Sequence, residues 1–165
     1  MEFFDCVCRR VSVRQYKDQE IDRELLERLV DAGRRAPTAR AKEPWEFVAI
    51  TDKGVLKKIS CVAENGKFIE NAAAAIVIFC APTKYYLEDG CSATENILLA
   101  ATDAGVGACW IAGDKKEYAK VIAVLLNAPA GLALVSIISL GVPKSIKDQV
   151  KKRSLEQVLH WENFL

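Results

Sequence analysis

Residues 93–113 read ATENILLAATDAGVGACWIAG, and the order of events within them decides the fold. The first half, 93–105, has the spacing of a helix that is apolar nearly all round, and Gly105 closes it. A helix with so little polar surface has to be covered, either by a large core or by a second subunit. The second half, ACWIAG (108–113), reads as a short strand. GVGACW begins like the dinucleotide fingerprint GxGxxG, but Trp110 stands where the third glycine belongs. That fingerprint also needs a strand first and a helix second, and here the helix comes first, which excludes a Rossmann site. Gly105 and Gly107 either let a flat ring approach bare backbone or simply end the helix.

Working outward, three further apolar runs predict strands: WEFVAIT (45–51), AAAAIVIFCA (72–81) and LALVSIISLGV (132–142). The run at 72–81 has no alternation, as expected of a strand buried on both faces. Helices are predicted at 2–9, from Asp22 to the stop at Pro37, and at 54–63. In the second of these, Leu25, Leu26, Leu29, Val30 and Gly33 mark one face. Asp114 with Glu117, and Ser154 with Gln157, have the spacing of capping boxes that open two further helices. Mixed helices and buried strands predict one α+β domain over 1–165, an α/β sandwich with a central sheet flanked by helices.

The chain has 165 residues, 51% hydrophobic and 27% charged, which is a folded composition. Its 23 basic and 22 acidic residues leave a net charge of +1, so nucleic acid is not an expected partner. The span 121–143 is long and apolar, but NAPAG (127–131) breaks it into halves too short for the roughly 20 residues a bilayer requires. With no apolar leader in MEFFDCVCRR, the expectation is no membrane association and a cytoplasmic location. The six cysteines form no CxxC pair and no zinc-like spacing, so no metal is expected. Cys80 and Cys109 sit in apolar runs as buried thiols. His160 is the sole histidine, near the end of the chain, and reads as a surface residue; no catalytic side chain is assigned.

Three stretches are candidates for binding. In RRVSVRQY (9–16), Arg10, Ser12 and Arg14 alternate, and an extended backbone puts them on one face. Two guanidiniums and a hydroxyl on one face suit a phosphate, although a solvated basic patch has the same pattern. KKR (151–153) is a second cationic run, and the sequence does not show whether the two meet. APTARAKEPWEF (36–47) is a polar loop with two prolines that leads from a helix into a strand, a place where ligand contacts often lie.

In this order the pieces resemble the nitroreductase family of FMN-dependent oxidoreductases, over nearly the whole chain. RRVSVRQY resembles the family's Arg-x-Ser-x-Arg/Lys element, and APTARAKEPWEFVAI resembles its APSAxNxQPWxF loop and strand. TENILLAATDAGVGACWIAG is similar to its QNxLLAAxxLGLGxxW helix and strand, and ISLGVPK…KKRSLEQVLHWENF to its closing segment.

The resemblance implies a nitroreductase-like fold with a mixed, mainly antiparallel sheet. It implies a homodimer carrying FMN at the subunit interface. The implied contacts are Arg10, Val11, Ser12 and Arg14 with the phosphate, ribityl chain and ring edge; Lys151 and Arg153 completing the phosphate site; and Gly105 and Gly107 near the ring. Thr38, Ala39, Ala41 and Glu43 fall on the loop positions, but Ala41 replaces the family's Asn and Glu43 its Gln. The implied activity is a ping-pong transfer of hydride from NADH or NADPH through flavin N5 to an acceptor: a nitroaromatic, quinone, flavin or oxygen. The alternative is an FMN-holding or FMN-delivering dimer with little turnover. The chain is short for the family, and LEDG (87–90) stands where longer members carry inserted helices.

Overall fold

The computed structural model describes residues 1–164. A four-stranded sheet carries much of the core. Its strands are β1 (Trp45–Ile50), β2 (Ala74–Cys80), β3 (Gly107–Ala112) and β4 (Ala133–Gly141), in the order β1-β2-β4-β3. Every neighbouring pair is antiparallel. Among the described residues, the one parallel pairing is an isolated bridge from Ser12 to Ala108 at the β3 edge.

β2 and β4 are central, and all seven residues of β2 are buried. Strand periodicity divides them between two faces. Ile76, Ile78, Ile138 and Leu140 point to one core, while Ala75, Val77, Phe79 and Ile137 point to the other. The first core lies under α2 (Arg23–Arg34) and α4 (Tyr86–Asp103), and the second under α3 (Lys53–Val62) and α5 (Ala119–Leu125). A short helix, α1 (Phe3–Arg9), lies against α4. This is the α+β sandwich expected from the sequence.

The apolar helix is longer than its hydrophobic run. α4 begins at Tyr86, so LEDG forms its first turns rather than a loop. Asp89 and Gly90 are buried there, and a Cβ on Gly90 would come within 2.8 Å of Val135 Cγ1. Close packing on β4 thus carries the helix through residues that look like breakers. The near-absence of polar surface on α4 is explained by neighbours within the chain: the sheet below, with α2 and α1 against it. Ile97, fully buried, fills the space left bare at Gly33 of α2.

The two proposed capping boxes divide. Gln157 Oε1 accepts from the Ser154 backbone N–H at 3.0 Å, opening a single 3-10 turn over Leu155–Gln157. The Asp114 box does not form. α5 starts after Tyr118, and Asp114 Oδ1 accepts instead from the Tyr86 hydroxyl at 2.6 Å. Asp52 is a working cap at α3: its Oδ1 accepts from Val55 N–H at 2.8 Å. Among the described residues, no helix is long and apolar enough to cross a membrane, and no cluster of His, Cys, Asp or Glu is built to hold a metal.

Candidate functional site

The segment 10–16 is laid along the β3 edge as an extra lane of backbone. Val13 N–H donates to Ala108 O at 2.9 Å, Lys17 N–H to Val142 O at 2.8 Å, and Lys144 N–H to Gln15 O at 3.0 Å. Val13 and Tyr16 are buried, while Ser12 and Arg14 are exposed and Arg10 half-buried. The expected alternation therefore holds: the β-branched residue faces the sheet and the polar ones face away. The bare backbone at Gly107 and Gly141, opposite each other in the β3–β4 ladder, makes this possible. A Cβ on Gly107 would lie 2.8 Å from Val13 Cγ1, and one on Gly141 would lie 2.6 Å from Tyr16 Cδ1.

A cavity of about 550 Å³ opens over this lane. Arg10, Ser12 and Arg14 line one side; Lys147, Gln149 and Lys152 line the other. Gln149 fixes the second wall to the first, because its Nε2 donates to Arg10 O at 2.7 Å and to Val7 O at 2.8 Å. The two cationic ends of the chain do meet, but with a different membership from that expected. Lys152 lines the cavity, whereas Lys151 and Arg153 are exposed and do not line it. Four cations face one carboxylate in this space, that of Asp148. Arg10 Nε is 4.0 Å from Glu95 Oε1, and Arg14 lies 5.7 Å over the Phe68 ring.

A second cavity of about 430 Å³ shares Val11, Val13, Lys147, Asp148 and Gln149 with the first. Its remaining lining includes Gly105, Val106 and Gly107. Gly105 has φ +72°, a left-handed conformation that favours glycine, and nothing lies within 4 Å of its missing Cβ. The first compartment is the more cationic, while the second combines bare backbone and Val11, Val13, Val106, Pro143 and Ile146 with Arg9 and Lys147 at its rim, which suits a molecule with an anionic head and a flat body.

Thr38, Ala39, Ala41 and Glu43 lie elsewhere. Their loop enters β1 at Trp45, whose partner is Cys80, at one end of β2. The lane 10–16 bridges to Ala108, which pairs with Leu140 and through it with Ala74, at the other end. Six strand steps separate those ends, about 20 Å. The loop carries three left-handed residues, Arg40, Ala41 and Glu43, and leaves Ala41 and Glu43 exposed. It is held by Ala39 N–H donating to Asp89 Oδ1 at 2.9 Å and Glu43 N–H donating to Thr38 Oγ1 at 3.3 Å.

The titration behaviour follows burial. Cys80 is pushed up to about 12 by desolvation, with the nearby Asp89 and Cys91 charges adding. Burial also raises Cys109, although Arg14, the Ser12 hydroxyl and Arg10 oppose it. Both stay protonated and act as small apolar groups, as the sequence suggested.

Sequence reasoning missed Lys147, Gln149 and Lys152. Lys147 and Lys152 carried a weak signal, since SIKDQVKKR has four cations against the single carboxylate of Asp148, but Gln149 carried none.

A family model described as "Nitroreductase family" matches residues 7–90 and 66–142. A protein of Archaeoglobus fulgidus with the provisional name NADH dehydrogenase/NAD(P)H nitroreductase is 38% identical over 146 residues, covering 84% of each chain. An FMN-dependent nitroreductase structure from Clostridium difficile R20291 has a TM-score of 0.91 at 30% identity, covering 98% of this chain and 99% of that one. A structure from Parabacteroides distasonis, also provisionally named NADH dehydrogenase/NAD(P)H nitroreductase, has a TM-score of 0.94 at 26% identity and covers 99% of each chain. With the strand order, the lane of alternating arginines and the matched length in agreement, this chain belongs to the nitroreductase family.

Proposed function

We propose that the chain is an FMN-dependent oxidoreductase that takes reducing equivalents from NADH or NADPH and passes them to a small-molecule acceptor. The observation that carries this reading is the paired cavity: Arg10, Ser12, Arg14, Lys147 and Lys152 around one compartment, and the Gly105–Gly107 backbone beside the other. FMN fits that donor set, with a near-dianionic phosphate for the cations and a flat tricycle for the bare backbone. When bound, it would supply hydride transfer between a nicotinamide and a second acceptor.

The chain's own residues bind and orient. The Arg10 and Arg14 guanidiniums offer forked donors, and Lys147 and Lys152 add mobile point charges. The Ser12 hydroxyl offers a further donor in the same lane. Buried Val13 and half-buried Val11 exclude water from the side nearest the strand. No side chain in the described cavity is assigned to proton transfer. The dependence on FMN of the Clostridium difficile relative supports this reading.

The working unit is proposed to be a homodimer of single-domain chains. Two observations support this. The loop at 38–43 and the lane at 10–14 lie at opposite ends of one sheet, so a site using both draws on two chains. Beyond Pro143, the exposed Ile146, Val150, Leu155, Trp161 and Phe164 form an apolar series that this chain does not cover.

The test is anaerobic addition of NADH, then of NADPH, to protein supplied with FMN. The expected result is loss of the yellow absorbance in mixing time or seconds with at least one of the two. A second reading, a dimer that holds FMN with little turnover, is favoured by Ala41 and Glu43 at the loop positions. Bound FMN that keeps its colour with both reductants selects that second reading. Failure to take up FMN at all defeats both.

A further inference from the structure

The lane that carries Arg10, Ser12 and Arg14 is short, and two of its three polar side chains are exposed. Something has to hold its backbone if these groups are to keep a fixed spacing. Val13, at its centre, is held at three points. Its N–H donates to Ala108 O at 2.9 Å, its side chain packs on the bare Gly107 backbone, and its carbonyl accepts from the Tyr16 hydroxyl at 2.6 Å. The Tyr16 hydroxyl is also 2.7 Å from Ser139 Oγ. A phenol has one hydrogen, and a carbonyl can only accept, so Tyr16 donates to Val13 and Ser139 donates to Tyr16. The result is a directed chain from the centre of β4 to the middle of the arginine lane. Tyr16 is only 3% exposed, and Ser139 is fully buried. Burial raises the phenol well above its ordinary value, so it remains a donor at every working pH.

We propose that Tyr16 is a positioning residue that fixes the spacing of Ser12 and Arg14 through the Val13 carbonyl, and that it thereby sets the preference for phosphorylated over unphosphorylated flavin. The inference rests on the FMN reading above. Its physical basis is that Ser12 and Arg14 are the two immediate neighbours of Val13. Freeing that carbonyl loosens the hinge between them, and a phosphate held by several directed donors is sensitive to sub-ångström drift. An isoalloxazine lying on Gly105–Gly107 makes no use of that spacing.

The experiment titrates FMN and riboflavin separately against the wild-type chain, Tyr16→Phe, Ser139→Ala and the double variant, with thermal midpoints recorded for each. Ser139→Ala leaves the Tyr16–Val13 bond intact. The double variant removes both hydroxyls, so Ser139 is no longer left with the long contact to Cys109 O at 3.5 Å as its remaining partner. In Tyr16→Phe the Kd for FMN is expected to rise about tenfold and that for riboflavin to stay within about twofold, a shift of about 1.4 kcal/mol in preference. Ser139→Ala should keep the wild-type preference, and the double variant should show the same loss as Tyr16→Phe.

Several results overturn the proposal: equal weakening of both flavins by Tyr16→Phe, no change in either, or the same loss of preference in Ser139→Ala. A wild-type chain that binds riboflavin and FMN equally well removes the phosphate role of the lane itself. A wild-type chain that binds neither overturns the FMN reading and the proposal with it.

Discussion

Replacing Arg10 and Arg14 together by alanine is expected to raise the Kd for FMN by about two to four orders of magnitude. Each charge-assisted hydrogen bond to a phosphate is worth about 1.5–3 kcal/mol, and two are removed. Lys147 and Lys152 remain on the cavity wall, but an ammonium on a flexible stem does not reproduce the planar fork. The same variant is expected to keep or slightly raise its melting temperature without ligand. Four cations share a small space with only Asp148 and the distant contact to Glu95 in opposition, so removing two relieves repulsion. Binding and stability should therefore move in opposite directions. Fluorescence titration with FMN, alongside a thermal melt of the empty protein, reads both. A change in Kd below about fivefold would mean that neither guanidinium meets the phosphate.

The second large effect lies in the core between α2, α4 and the sheet. Ile97→Ala is expected to lower stability by about 2–5 kcal/mol, the range for deleting a buried branched side chain and leaving a cavity. For a chain of this size that corresponds to a fall in Tm of about 4–20 °C. Ile97 is fully buried, and its Cδ1 lies 2.9 Å from where a Cβ on Gly33 would stand. Gly33→Ala alone should destabilise by crowding that methyl. Combined with Ile97→Val, which removes the methyl in question, it should cost less than the sum of the two single changes. Urea denaturation of the four proteins measures the coupling; strictly additive values would show that the contact is not shared.

Much of this was legible beforehand because it rests on local patterning. The alternation of Ile76, Val77, Ile78 and Phe79 between two cores follows from a run apolar at every position. The outward display of Ser12 and Arg14 follows from buried Val13 between them. What sequence did not reveal depended on partners far along the chain. The predicted helix begins at residue 93, and the turns before it form because Gly90 packs on Val135 and Asp89 accepts from Ala39 N–H. Asp114 read as a helix cap until Tyr86, 28 positions away, claimed its oxygen. Lys152 was hidden among neighbours of the same type, and in KKR nothing but the path of the backbone decides which cation turns inward.

The wiring of the arginine lane also bears on when the site comes into being during synthesis. Val13, Tyr16 and Lys17 are made long before their partners Ala108, Ser139 and Val142, and Arg10 is reached by Gln149 across 139 positions. Closing loops of that length is entropically costly and comes late in folding. At about 5–20 residues per second, several seconds of elongation pass before the second wall has been made. A nascent chain thus lacks the second wall of the cavity until translation has passed Gln149, and on the FMN reading proposed above loading follows that point.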